Sequence, residues 1–273
     1  MGRLKFEHMK IRSFIFFGVL VLFGTLLLLG FDTETSVRET IMVYSVFVIF
    51  PFAWFYYEYS NSPYYFSDII ETKNLRQLYV PTTVIFILLF ILSIGIVWLN
   101  SFLLSFISPE FVNEFLSEEE ILPKGSPVSA FLIGVYIVIF APITEEFIFR
   151  GLFLKRLGYK FNLKAGLLIS SFIFGVFHFD IIGSFMFGIV LGLIYTWTNN
   201  LLYPILIHMA NNLLALSLDL LHIPLPKFLM YTAVDELPAA ATPNLIIIGL
   251  FAPLLIFAIY KYKPSYKKYK INT

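Results

Sequence analysis

The sequence predicts an all-α fold, a polytopic transmembrane helix bundle of about eight spans. Three observations predict it. Of 273 residues, 59% are hydrophobic and only 14% are charged, against roughly 25% charge in soluble domains. The mean hydropathy of +0.83 would leave Phe, Leu and Ile uncovered in water. Apolar runs of about 20 residues, the length that crosses the hydrocarbon, recur along the whole chain.

Taken in order, the spans are expected at about 13–31, 41–59, 80–103, 128–149, 165–180, 181–198, 201–221 and 244–260. The first follows Arg3, Lys5, Lys10 and Arg12, with no A-x-A-like cleavage site before Asp32. It is expected to stay as an anchor. The run at 165–180 is short, and only Asn199–Asn200 separates the next two spans. With no internal repeat and no low-complexity linker, residues 1–273 read as a single membrane-embedded domain.

Charge orients the spans. With both termini in the cytoplasm, every Lys and Arg except Arg38, Lys124 and Lys227 falls in a cytoplasmic segment, as the positive-inside rule requires. The acidic run Glu118–Glu119–Glu120 then lies in an external loop as a solvated face. A net charge of +1 offers no basic field for nucleic acid. Cysteine is absent, which removes disulfides and thiolate nucleophiles and leaves a metal only His, carboxylate or water.

Inside the spans the ionisable residues are few: Glu145, Glu146, His178, His208 and Asp219, with Asp180 and Arg150 near edges. Burying a carboxylate there costs roughly 3 kcal/mol on insertion scales. For Asp219, Asp180 and His222 a helix–helix hydrogen bond or a headgroup position suffices. Glu145 and Glu146, adjacent within IVIFAPITEEFIFRG, need a fuller explanation. Glu146 and Arg150 are spaced i, i+4 and can neutralise each other on one face. Glu145 lies about 100° around the helix, freer to face a cavity as a general base.

His208 and Asn212 repeat the i, i+4 spacing and offer an imidazole and an amide to one face, while Asn211 points elsewhere. Phe174 and His178 share a face in the same way. A common depth requires the helix of 128–149 to continue through Leu152 to Arg156. At 1.5 Å per residue, Glu145, His178, His208 and Asn212 then lie roughly 16, 24, 12 and 18 Å from their span ends. One mid-membrane site is feasible.

In order on successive helices, Glu145–Glu146–x-x-x-Arg150, Phe174–x-x-x-His178 and His208–x-x-x-Asn212 resemble the motifs of the CPBP family of intramembrane proteases. That family includes the type II CAAX prenyl endopeptidases and the related Abi proteins of bacteriocin processing and immunity. The resemblance covers about 128–215, the expected catalytic core. It implies an eight-helix bundle whose site, within the membrane, opens toward the cytoplasm. It also implies that Glu145 and His178 activate the attacking water and that His208 and Asn212 stabilise the oxyanion. Glu146, Arg150 and Phe174 would support the architecture or engage substrate.

The activity so implied is an intramembrane endopeptidase removing the C-terminal tripeptide of prenylated CAAX proteins. Its partners would be a prenylated protein or peptide and membrane lipid, with no nucleic acid. Zinc stays open: Glu145, His178 and His208 would be its ligands, although no HExxH is present. A glutamate-activated water is the favoured reading. One alternative is a protease of the same family acting on a bacteriocin precursor or another membrane-associated peptide. Another is a proton- or ion-coupled transporter, against which stands the lack of repeated halves. Gly188–x-x-x-Gly192 reads as close helix packing.

Overall fold

The computed structural model describes residues 6–29, 34–60, 70, 78–117, 122–123, 126–221, 226, 229 and 231–271. Glu118–Glu119–Glu120, Arg3, Lys5, Asp32, Lys124, Lys227 and His222 lie outside the described residues. The helices are α1 (Ile11–Leu29), α2 (Thr35–Ser60), α3 (Tyr79–Ser105), α4 (Pro109–Ser117), α5 (Pro127–Lys160), α6 (Leu163–Val176), α7 (Ile181–Thr198), α8 (Leu202–Leu220) and α9 (Ala241–Ile271). No β-strand occurs among the described residues. The chain is an all-α, multi-span membrane protein.

Each of the eight expected spans is helical over most of its described residues, but six helices among the described residues are long and apolar enough to cross a membrane. They are α1, α2, α3, α5, α7 and the Ala241–Lys263 part of α9. Helix α6 has only 14 residues. Helix α8 has 19, with His208, Asn211, Asn212 and Asp219 diluting its apolar character. The expected 165–180 segment stops at Val176 because Asp180 starts the next helix, its Oδ1 accepting a bond from the Gly183 amide at 2.9 Å. His178 therefore sits on a turn. The two-residue break at Asn199–Asn200 works because Asn199 adopts a left-handed φ of 56°, which asparagine tolerates better than most residues.

The chain divides into two units. The first comprises Met1–Glu71, Leu122–Ser170 and Asn200–Ser217. The second comprises Thr72–Ile121, Ser171–Asn199 and Leu218–Thr273.

In the first unit a short turn, Phe6–His8, lies against the cytoplasm-expected part of α5. Phe6 is buried among Phe55 and Phe147 at ring separations of 6.2 and 6.4 Å. Arg156 donates to the Glu7 carbonyl. Gly151 makes room for the Phe6 ring: a Cβ there would come within 2.7 Å of it. Gly166 lets α6 cross α5 closely. A Cβ on Gly166 would meet the Gly158 amide nitrogen at 2.5 Å and the Leu154 oxygen at 2.6 Å. Both are backbone atoms and cannot swing aside. Gly166→Ala is therefore expected to cost about 1–3 kcal/mol through overpacking, read as a lower unfolding midpoint in detergent. Unchanged stability would mean the crossing is looser than it looks.

In the second unit α3 and α9 pack along their lengths, with Gly95 under the Asn244 carbonyl, 2.9 Å from where a Cβ would sit. The Trp98 indole donates to the Leu237 oxygen at 2.9 Å, and Trp98, Val112, Leu237 and Ala240 form a buried apolar cluster. Helices α6 and α7 make a tight pair. A Cβ on Gly188 would lie 2.9 Å from the Ser171 Cβ, so close packing is what this glycine serves.

Candidate active site

The site begins with a proline. Around Tyr136–Phe140 the hydrogen bonds of α5 widen, and the Ala141 amide reaches back five residues to the Tyr136 oxygen. In that register the next carbonyl, Ile137, would need the amide of Pro142, which has no N–H. A backbone oxygen orphaned inside a membrane span must be satisfied by another group. The Asn212 side chain on α8 supplies it: Nδ2 donates to the Ile137 oxygen at 2.9 Å. One turn earlier the Tyr44 hydroxyl on α2 donates to the Leu132 oxygen at 2.9 Å. The wide turn is thus held from two neighbouring helices, and such turns occur often at functional sites.

Glu145 and Glu146 follow on a short regular stretch, Ala141–Glu146, before a second wide turn over Phe147–Leu154. Helix α5 remains continuous to Lys160, the extension the depth comparison required. Glu146 is completely buried, and its Oε1 lies 2.9 Å from Arg150 Nη1 and 2.9 Å from His208 Nδ1. A carboxylate oxygen accepts, so His208 Nδ1 carries the proton and donates. That bond fixes the ring, whose Nε2 lies 3.7 Å from Glu145 Oε2. Glu145 keeps 21% of its side chain exposed, against 0% for Glu146. The adjacent acids have different environments: one anchors the Arg150 guanidinium and the His208 imidazole, the other borders accessible space.

Asn211 lies beside this group, its Nδ2 donating to Asn212 Oδ1 at 3.4 Å. That contact turns the Asn212 amide so that its NH2 faces Ile137. The first unit therefore brings together Glu145, Glu146, Arg150 and His208, with Asn212 one turn further along α8.

Phe174 and His178 belong to the second unit. His178 Nδ1 lies 2.7 Å from the Phe174 oxygen. A carbonyl only accepts, so the proton sits on Nδ1 and the lone pair of the neutral ring on Nε2. The two rings lie 4.5 Å apart. The Asn100 side chain of α3 reaches the same turn, bonded to Phe179 and Ile182. Below it, burial first and the charge of Asp180 second push the Tyr231 hydroxyl well above the usual tyrosine range.

Sequence reading missed Asn100, Tyr44 and the demand created by Pro142. The available signals were an amide inside the apolar run IVWLNSFLL and a proline one turn ahead of the acids. Among the described residues no group of three His, Asp or Glu side chains could hold a metal ion. No step below runs through a metal.

A multi-span helical chain that sequesters paired acids, an arginine and a histidine in one buried network has the makings of an intramembrane hydrolase. Comparison with known families is specific on this point. Residues 127–214 match the family described as Type II CAAX prenyl endopeptidase Rce1-like, and that segment is similar to this family of CAAX-type proteases. No curated protein and no solved structure matches the chain.

Proposed function

We propose that the chain is an intramembrane endopeptidase that removes the C-terminal tripeptide of prenylated CAAX proteins, using water activated by Glu145. The observation that carries this reading is the sharing of Glu146 Oε1 between Arg150 and His208. It leaves Glu145 as the carboxylate with access, beside an imidazole whose orientation is already set. The family match over 127–214 supports the same class of reaction.

In the proposed reaction Glu145, with His178, takes a proton from water as its oxygen attacks the scissile carbonyl carbon. His208 as imidazolium, stabilised by Glu146, donates from Nε2 to the developing oxyanion, much as a buried carboxylate supports histidine in hydrolytic triads. One N–H of Asn212 is used by Ile137, and the other serves the oxyanion. Each such donor is worth about 3–4 kcal/mol in the transition state. The C–N bond then breaks as Glu145 returns its proton to the leaving amine nitrogen. The distribution of Lys and Arg supports a cytoplasmic side for both termini, and the proposed substrate is approached from that side.

Purified protein in detergent is expected to release the tripeptide from a farnesylated CAAX peptide, with little cleavage of the same peptide lacking the prenyl chain. Equal cleavage of both would reassign the substrate to other membrane-associated peptides. No cleavage of either would sink the reading.

A further inference from the structure

We propose that Asn100, on α3 and outside the family-matched segment, is a positioning residue for His178. The proposal rests on the reading that His178 helps to activate water. It starts from the cost of an amide in hydrocarbon: an unsatisfied one is expensive enough that buried amides are nearly always bonded. Asn100 is 1% exposed in the last two turns of the apolar helix α3. Its side chain spends both ends on a single turn. Nδ2 donates to the Phe179 oxygen at 2.9 Å, and Oδ1 accepts from the Ile182 amide at 3.4 Å.

That turn is the one carrying His178, and the two clasped groups flank Asp180. The turn's own bonds are short-range: the His178 amide to the Gly175 oxygen, and the Ile181 amide to the Phe179 oxygen, each at 2.9 Å. Asp180 caps α7 through the Gly183 amide, and a Cβ on Gly183 would collide with that carboxylate. These contacts shape the turn locally. Asn100 ties the backbone of the turn to a separate long helix. Without it the Phe179 oxygen still has the Ile181 amide, but the Ile182 amide, in the first turn of α7, loses its acceptor. The consequence is a turn that loosens without unfolding. The imidazole, bonded through Nδ1 to the Phe174 oxygen four residues back and packed on the Phe174 ring, is carried by this turn and would move with it.

The test is Asn100→Leu, near in volume and without polar atoms, in full-length protein in detergent. A displacement on the order of 1 Å can cost about 100-fold in rate. The expected result is a kcat lower by roughly 10- to 100-fold with KM within about twofold. The second readout is the ¹⁵N signal of the imidazole in protein labelled at histidine, assigned to His178 by comparison with His178→Gln. Wild type should show the Nδ1–H tautomer alone, and Asn100→Leu a tautomer mixture or broadened signals. A wild-type kcat in Asn100→Leu, or a loss of kcat with the His178 signals unmoved, would overturn the proposal. If Asn100→Leu does not fold, Asn100→Asp is measured instead, since it keeps the acceptor for Ile182 and loses the donor to Phe179. Unfolding of both variants would show a role in folding alone and would also overturn it. Should wild type cleave no peptide, the proposed protease reading fails, while the ¹⁵N signals still decide whether Asn100 sets the imidazole.

Discussion

Glu145→Gln is expected to lower kcat by about 10²- to 10⁴-fold, the usual contribution of a general base, while the unfolding midpoint in detergent stays near wild type. The reasoning is local. Glu145 is the carboxylate with exposure, and its Oε2 lies 3.7 Å from His208 Nε2, beyond hydrogen-bond reach. Gln keeps the shape and removes the basic oxygen. Glu146→Gln should behave differently, because it removes the charge that faces Arg150 and the acceptor that orients His208. It is expected to lose stability and rate together. Single-turnover cleavage of a prenylated peptide, run beside thermal unfolding of the same preparations, separates the two cases. A Glu145→Gln enzyme that turns over at the wild-type rate would remove Glu145 from the chemistry.

How much of this was legible beforehand depends on which interactions are periodic. The spans were legible because hydrocarbon imposes a length and a composition on every crossing segment. The Glu146–Arg150 pair was legible because four residues on a helix bring two side chains onto one face. The different surroundings of Glu145 and Glu146 followed from the same geometry. His208 bonding to Glu146 was not legible, since i, i+4 spacing within α8 says nothing about which side chain of α5 it meets. Asn212 shows the limit more sharply. Its spacing from His208 suggested a shared catalytic face, yet one of its N–H groups is occupied by the Ile137 carbonyl. That partner exists because Pro142 lacks an amide hydrogen, a backbone effect with no period to read. The turn at His178 was also misplaced within a longer helix. Asp180 caps the start of α7 through the Gly183 amide, a local role that its place near a span edge leaves unspecified.

Arg150→Met is expected to cost roughly 3–5 kcal/mol, the range for breaking a buried ion pair from one side. Arg150 is among the largest fully buried side chains, and Glu146 is 0% exposed. With the guanidinium gone, the Glu146 charge keeps only His208 as a close partner among the contacts described for its Oε1. The informative comparison is the double variant Arg150→Met with Glu146→Leu. Removing both charges removes the desolvation penalty as well, and apolar replacements of buried pairs are often neutral or stabilising. Stability should therefore return towards wild type in the double variant. Activity should not return, because His208 Nδ1 would have lost the acceptor that aims its Nε2 at Glu145. Thermal unfolding and cleavage rates measured on the three variants would show stability and catalysis parting at this point. A double variant no more stable than Arg150→Met would mean that the arginine holds the helix by packing, and that Glu146 was never its electrostatic dependant.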